Sequence, residues 1–129
     1  GIYQWHTAMN LAKECSDGTK SCSAQINNGN HQGICPVGWH IPKKTEWEVL
    51  TNFLGGVGLA GKKMKLSSFG NGDNSSGFSA IGTDDKALFW EADEKDMTHG
   101  QSRRLNTSDA FFSDNQAKYS GLWVRCLKG

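Results

Sequence analysis

The chain has 129 residues, among them four Cys and five Trp, and its 14 basic and 13 acidic side chains leave a formal net charge of +1. That length holds one ordinary domain able to bury a real core. Only three of the basic residues are Arg and none form a stripe, which excludes a phosphate-tracking surface for nucleic acid, and no apolar run is long enough to span a bilayer.

In chain order, Ile2, Trp5, Ala8, Met9 and Ala12 recur at helical spacing and predict a helix over residues 3–13 with one apolar stripe. The polar run 14–32 reads as a loop excursion. Cys15 and Cys22 flank a turn-forming segment inside it and can close a local disulfide, which leaves Cys35 and Cys126 to pair across 91 positions. An even cysteine count in a small, loop-rich chain points to two disulfides and an oxidising compartment. The alternatives are four reduced core thiols or a zinc site, and zinc has no closely spaced Cys pair behind it.

Residues 33–42 carry Pro36 and Pro42 and read as extended. A second helix is predicted over 44–54, with Trp47, Leu50 and Leu54 on one stripe, Val49 and Phe53 beside it, and Gly55-Gly56 as its stop. Lys62, Lys63 and Lys65 around Met64 read as a solvated stretch, and 70–77 as a loop. Strands are expected over 77–81 and 88–92, over 103–112 with a turn at 106–109, and over 122–127, where apolar residues alternate. Helices followed by strands define an α+β chain, a single domain over residues 1–129 with a mostly antiparallel sheet.

Three segments then resemble one family. Gly33-Ile34-Cys35-Pro36-Val37-Gly38-Trp39-His40-Ile41-Pro42 followed by Glu46-Trp47, Ala60-Gly61-Lys62-Lys63-Met64-Lys65 followed by Gly77-Phe78-Ser79-Ala80, and Phe89-Trp90 with Val124-Arg125-Cys126-Leu127-Lys128 are similar to signatures of the Fibrobacter succinogenes major paralogous domain. Tyr3-Gln4-Trp5 resembles the motif near its start. The resemblance implies a C-type-lectin-like fold: two helices, a small twisted, mostly antiparallel sheet, and long loops. It also implies a surface module of the kind attached to lipoproteins, adhesins or pilins, with no characteristic catalytic activity, and it places Cys35 and Cys126 at recurrent Cys positions. Two departures matter. The segment that usually precedes the first motif is missing, which predicts a domain lacking its first strand or receiving it from another segment or subunit. Lys43 stands where a capping Thr is usual, which predicts a second helix without its N-terminal cap.

Trp39, Trp47 and Trp90 fall in the matched motifs and are expected in the core, whereas Trp123 alternates outward. His40 belongs to a structural motif, and His6, His31 and His99 are isolated and expected at the surface. None of the Glu-Pro-Asn, Gln-Pro-Asp or Trp-Asn-Asp tripeptides of calcium-dependent sugar binding is present, so no metal and no cofactor is expected. Without a Ser-His-Asp signature or a phosphate-cradling Gly loop, neither is an enzyme. The expectation is a non-catalytic, extracellular module of the bacterial cell surface that adheres to a protein or glycan ligand. The alternative is the globular head of a pilin or another self-assembling subunit, completed by strand addition. Arg103, Asn106, Asp114, Asn115, Tyr119 and Trp123 mix aromatic, guanidinium and amide groups and are the candidate binding residues.

Overall fold

The first helix is far shorter than its periodicity predicts. In the computed structural model, which describes residues 1–129, strand β1 (Ile2–Tyr3) is followed by helix α1 over Trp5–Ala8 only. Asn10 takes the left-handed conformation at φ 57. The Asn10 and Leu11 N–H groups donate to the carbonyls of Thr7 (3.0 Å) and His6 (2.8 Å), the backbone pattern that closes a helix. Trp5, Ala8 and Met9 are buried as the stripe requires. The apolar spacing therefore marked a buried segment, of which one turn is helical.

Strand β2 (Trp39–His40) leads into helix α2 (Lys44–Phe53). Lys43 cannot cap this helix, and its ammonium instead donates to the carbonyls of Asn28 (3.1 Å) and Gly29 (3.3 Å). The Lys44 N–H is nevertheless satisfied, donating to the Asp93 carboxylate at 3.0 Å. A tertiary partner thus supplies what the local sequence withholds. At the far end Gly55 and Gly56 take φ 102 and 101, and the Gly56 N–H donates to Thr51 O at 2.9 Å.

A third helix follows where a solvated lysine stretch was expected: α3 spans Val57–Met64. Gly61 lets it pack closely, because an added Cβ would lie 2.3 Å from Ala110 O. Lys65 lies just beyond and is fully buried. Its ammonium donates to Asn71 Oδ1 (2.9 Å), Asn106 O (2.7 Å) and Ser108 O (2.5 Å), one acceptor for each N–H, with the Phe69 ring centroid 5.4 Å away.

Strands β3 (Ala87–Glu94), β4 (His99–Leu105), β5 (Phe111–Ala117) and β6 (Leu122–Trp123) join β1 in a five-stranded sheet of order β1-β6-β3-β4-β5. β6 is antiparallel to β1, with Ile2 opposite Trp123, but parallel to β3, with Phe89 opposite Trp123. The sheet is therefore mixed. β7 (Leu127–Lys128) pairs antiparallel with β2 in a separate two-stranded ribbon. The expected strand over 122–127 is thus two strands serving different sheets, and the expected strand over 77–81 is reduced to one bridge between Lys65 and Ala80. The class is α+β, with three helices rather than two.

The chain forms two compact units. The first comprises Gly1–Lys44, Phe89–Ser102 and Asp114–Gly129. It holds Cys15–Cys22 and Cys35–Cys126, with Cα separations of 5.7 and 5.9 Å. Its core includes Trp5, Met9, Ile41, Trp90 and Leu122. Trp90 Nε1–H donates to Tyr3 O at 2.7 Å, and Gly100 is required because a Cβ there would sit 2.4 Å from the Trp5 ring. His31 is buried, its Nδ1 accepting the Asn27 N–H (3.0 Å) and its Nε2–H donating to Met9 O (2.9 Å). Trp39, expected in the core, is 40% exposed.

The second unit comprises Thr45–Leu88 and Arg103–Ser113. Its core gathers Trp47, Leu54, Met64, Phe69, Leu105 and Phe111. Trp47 meets Phe111 edge-on with ring centroids 5.4 Å apart, and Phe78 tilted at 6.2 Å.

Candidate functional site

Within the first unit a recess of about 170 Å³ is lined by Ser16, Asp17, Gly18, Thr98, His99, Ala117 and Tyr119. Three segments build it: the turn inside the Cys15–Cys22 loop, the turn joining β3 to β4, and the end of β5. Both turns share one local device. The Asp17 carboxylate accepts the Thr19 hydroxyl (2.5 Å) and N–H (3.0 Å), and the Asp96 carboxylate accepts the N–H (2.9 Å) and hydroxyl (2.9 Å) of Thr98 and the His99 N–H (2.8 Å). Hydrogen bonds to the charged form favour it. The Thr19 hydroxyl, then the Thr19 N–H, hold Asp17 below the ordinary carboxylate range, and the Thr98 N–H, then its hydroxyl, bring Asp96 down to about 2. The two turns touch, since a Cβ on Gly18 would lie 3.3 Å from the Thr98 methyl.

The proton order beside Asp96 follows from donor counting. Thr98 has one hydroxyl proton and gives it to Asp96, so towards His99 Nδ1, 2.7 Å away, its oxygen accepts. His99 therefore carries a proton on Nδ1. Ser16 Oγ accepts the His6 N–H at 2.8 Å, and no hydrogen bond joins it to His99. The base-activated hydroxyl of acyl transfer is not assembled.

A buried ion pair braces the recess. Lys118 is fully buried, its ammonium on the Glu94 carboxylate and 4.5 Å from the Trp5 ring centroid. Glu94 also accepts the Cys22 N–H (2.8 Å) and the Ser21 hydroxyl (2.5 Å), which ties the disulfide loop to β3. Burial alone would push the Glu94 carboxyl up. The hydrogen bonds from Cys22, Lys118 and Ser21 outweigh burial and hold it below its ordinary value. The Lys118 backbone is clamped too: its N–H donates to Thr98 O (2.9 Å) and its carbonyl accepts the Trp5 N–H (3.0 Å). Tyr119, the next residue, thus leaves a fixed backbone with its side chain outward and 72% of its surface exposed.

Of the six candidate residues, Tyr119 alone lines the recess. Arg103 was expected at the surface but is only 3% exposed, with Glu48 at 3.8 Å and the Phe111 ring at 5.9 Å, so it works inside the second unit. Asn106 is also structural. Its carbonyl holds Lys65, and its side-chain oxygen accepts the Ser108 N–H (2.8 Å) and hydroxyl (2.6 Å). Asp114 accepts the Asn115 N–H at 2.8 Å and the Gln116 amide at 3.3 Å. Trp123 is half-buried in β6.

Sequence reasoning missed Asp17, Thr98 and His99. A signal existed, because Asp17-Gly18-Thr19, Asp73-Asn74-Ser75, Asp96-Met97-Thr98 and Asn106-Thr107-Ser108 repeat one Asx-turn pattern. No group of three metal-ligating side chains converges in the structure. The family model described as the Fibrobacter succinogenes major domain matches residues 1–128. No curated protein and no solved structure matches the chain significantly.

Proposed function

We propose a binding role from one established premise: the chain belongs to the Fibrobacter succinogenes major domain family. It is a non-catalytic, C-type-lectin-like module of the bacterial cell surface that adheres to a protein or glycan through the recess beside Tyr119. The observation that carries this reading is the pairing of a preformed recess, whose lining includes Asp17, Thr98 and His99, with an aromatic ring held in solvent by a clamped backbone. Rigid aromatic anchors next to fixed polar groups suit recognition, because little ordering entropy is lost on contact. Two disulfides fit an oxidising, extracellular setting, and no helix is long and apolar enough to cross a membrane.

The test is a screen of the immobilised domain against a glycan array and purified surface proteins, repeated with Tyr119→Ala. The variant is expected to lose about 2 kcal/mol of binding to whatever the wild type selects, with its melting temperature preserved. Unchanged binding by a folded Tyr119→Ala would move the contact face elsewhere.

One observation favours a second reading, the head of a self-assembling subunit. β1 and β5 stand at the two edges of the five-stranded sheet, where a neighbour's strand could add. Concentration-dependent assembly in sedimentation, abolished by a Pro in β5, would support it.

A further inference from the structure

We propose that the recess beside Tyr119 takes a single cationic group, the ammonium or guanidinium of a Lys or Arg side chain on a protein partner. This rests on the reading of the recess as the binding face and narrows it to one chemistry. Four observations support it.

Size comes first. At about 170 Å³ the recess is well below the roughly 300 Å³ at which sites for drug-sized ligands begin, so it accommodates one side-chain head or one ring rather than an extended ligand. Charge comes second. Asp17 lines the recess and Asp96 lies in the turn that carries Thr98, both held ionised by their own turns. The nearest buried cation, Lys118, is spent on Glu94.

Donor and acceptor balance is the third observation. The Thr19 hydroxyl is spent on Asp17 and the Thr98 hydroxyl on Asp96. The recess is then lined by the Asp17 carboxylate, which can only accept, together with the His99 imidazole and the adaptable hydroxyls of Ser16 and Tyr119. An ammonium or guanidinium brings only donors and matches this set. A neutral sugar brings acceptors as well, and finds two hydroxyls to serve them. The exposed Tyr119 ring is the fourth, since the face of an aromatic ring attracts a cation. Lys13 already acts on the Asp17 carboxylate, so the free domain carries a weak internal competitor on its own surface.

The experiment is an amide NMR titration of the intact domain, in mildly alkaline, low-salt buffer. The probes are the N-acetyl methylamides of lysine, arginine and the neutral isostere norleucine, with methyl glucoside as the sugar. The cationic probes are expected to shift the amides of Gly18, Thr98, His99 and Tyr119 in a saturable way at millimolar concentrations, and the neutral ones are not. Asp17→Asn keeps the oxygen that accepts the Thr19 N–H, so it preserves the turn and removes the charge. It is expected to weaken the cationic probes about tenfold, as is Tyr119→Leu. Lys13→Gln is expected to strengthen them, and added salt to weaken them.

Equal shifts from norleucine or methyl glucoside at these amides would overturn the choice of cation while leaving the recess as a binding site. Undiminished cation binding by a folded Asp17→Asn would also overturn it. Absence of any shift with any probe, together with a Tyr119→Ala variant that binds its screened ligand normally, would remove both the cation and the recess.

Discussion

The two units hold their loops by different chemistry around a similar object, a fully buried lysine. In the first unit Lys118 meets the Glu94 carboxylate and the Trp5 ring, and two disulfides close the surrounding chain. In the second there is no disulfide, and Lys65 is solvated by one amide oxygen and two backbone carbonyls beneath Phe69. A carboxylate neutralises a buried cation, whereas carbonyls only replace its water. The first unit therefore depends on keeping charges paired and the second on keeping acceptors filled. The candidate binding residue Tyr119 projects from the unit with the covalent and ionic bracing.

The largest expected effect is loss of the long disulfide. Replacing Cys35 and Cys126 by Ser removes a closure of 91 positions and should cost about 4–5 kcal/mol in denaturant unfolding on the loop-entropy account. The same substitution at Cys15 and Cys22, separated by 7, should cost only ~2 kcal/mol. Equal losses would mean that native contacts, not loop closure, set the difference.

Breaking the ion pair ranks next. Glu94→Ala strands the Lys118 ammonium and should cost roughly 3–5 kcal/mol, measured by chemical denaturation, whereas Lys65→Met leaves only neutral acceptors unfilled and should cost about 2 kcal/mol. A reversal of that order would refute the distinction between the two buried cations.

The two units should also answer pH in opposite windows. Glu94 is depressed when folded, so its contribution is full above the ordinary glutamate value of about 4.3 and is lost as pH falls through the lower folded value. Lys65 is pushed down by burial, with Asp109 opposing. Between its folded value and the ordinary lysine value of about 10.4 the unfolded chain binds more protons, so stability rises with pH there. Thermal melts across pH should show the acid decline flattened in Glu94→Gln and the alkaline gain removed in Lys65→Met. The smallest effect is on Tyr119→Ala, whose melting should match wild type within about 0.5 kcal/mol, as an exposed ring predicts.

Much of the architecture was legible along the chain, and the exceptions have identifiable causes. The boundaries of α2 were readable because Trp47 and Leu54 are buried at helical spacing and Gly55-Gly56 is a strong stop. The helix over 3–13 was misread because periodicity reports which residues are buried, while Asn10 decides where the helix ends. Lys62 is exposed as the solvated reading expects, but Lys65 is not, because composition cannot tell a helix end from a buried cation whose acceptors lie 41 and 43 positions away. Arg103 looked like a recognition residue for the same reason: its partner, Glu48, belongs to a distant segment.

The sequence by itself determined the α+β class, the family and both disulfide pairings, because spacing, motif order and an even cysteine count are properties of the chain. The Asx turns are encoded just as locally, since the Asp side chain bonds to the backbone two residues on, although the sequence reading missed Asp17 and Thr98. Tertiary structure decided the candidate site. Asp17, His99 and Tyr119 share a recess because a disulfide loop, a β-turn and a strand end are drawn together through the Glu94–Lys118 pair. Tyr119 stands in solvent because the backbone before it is clamped between Trp5 and Thr98. Such convergence is set by contacts between segments remote in sequence, and no local pattern encodes it.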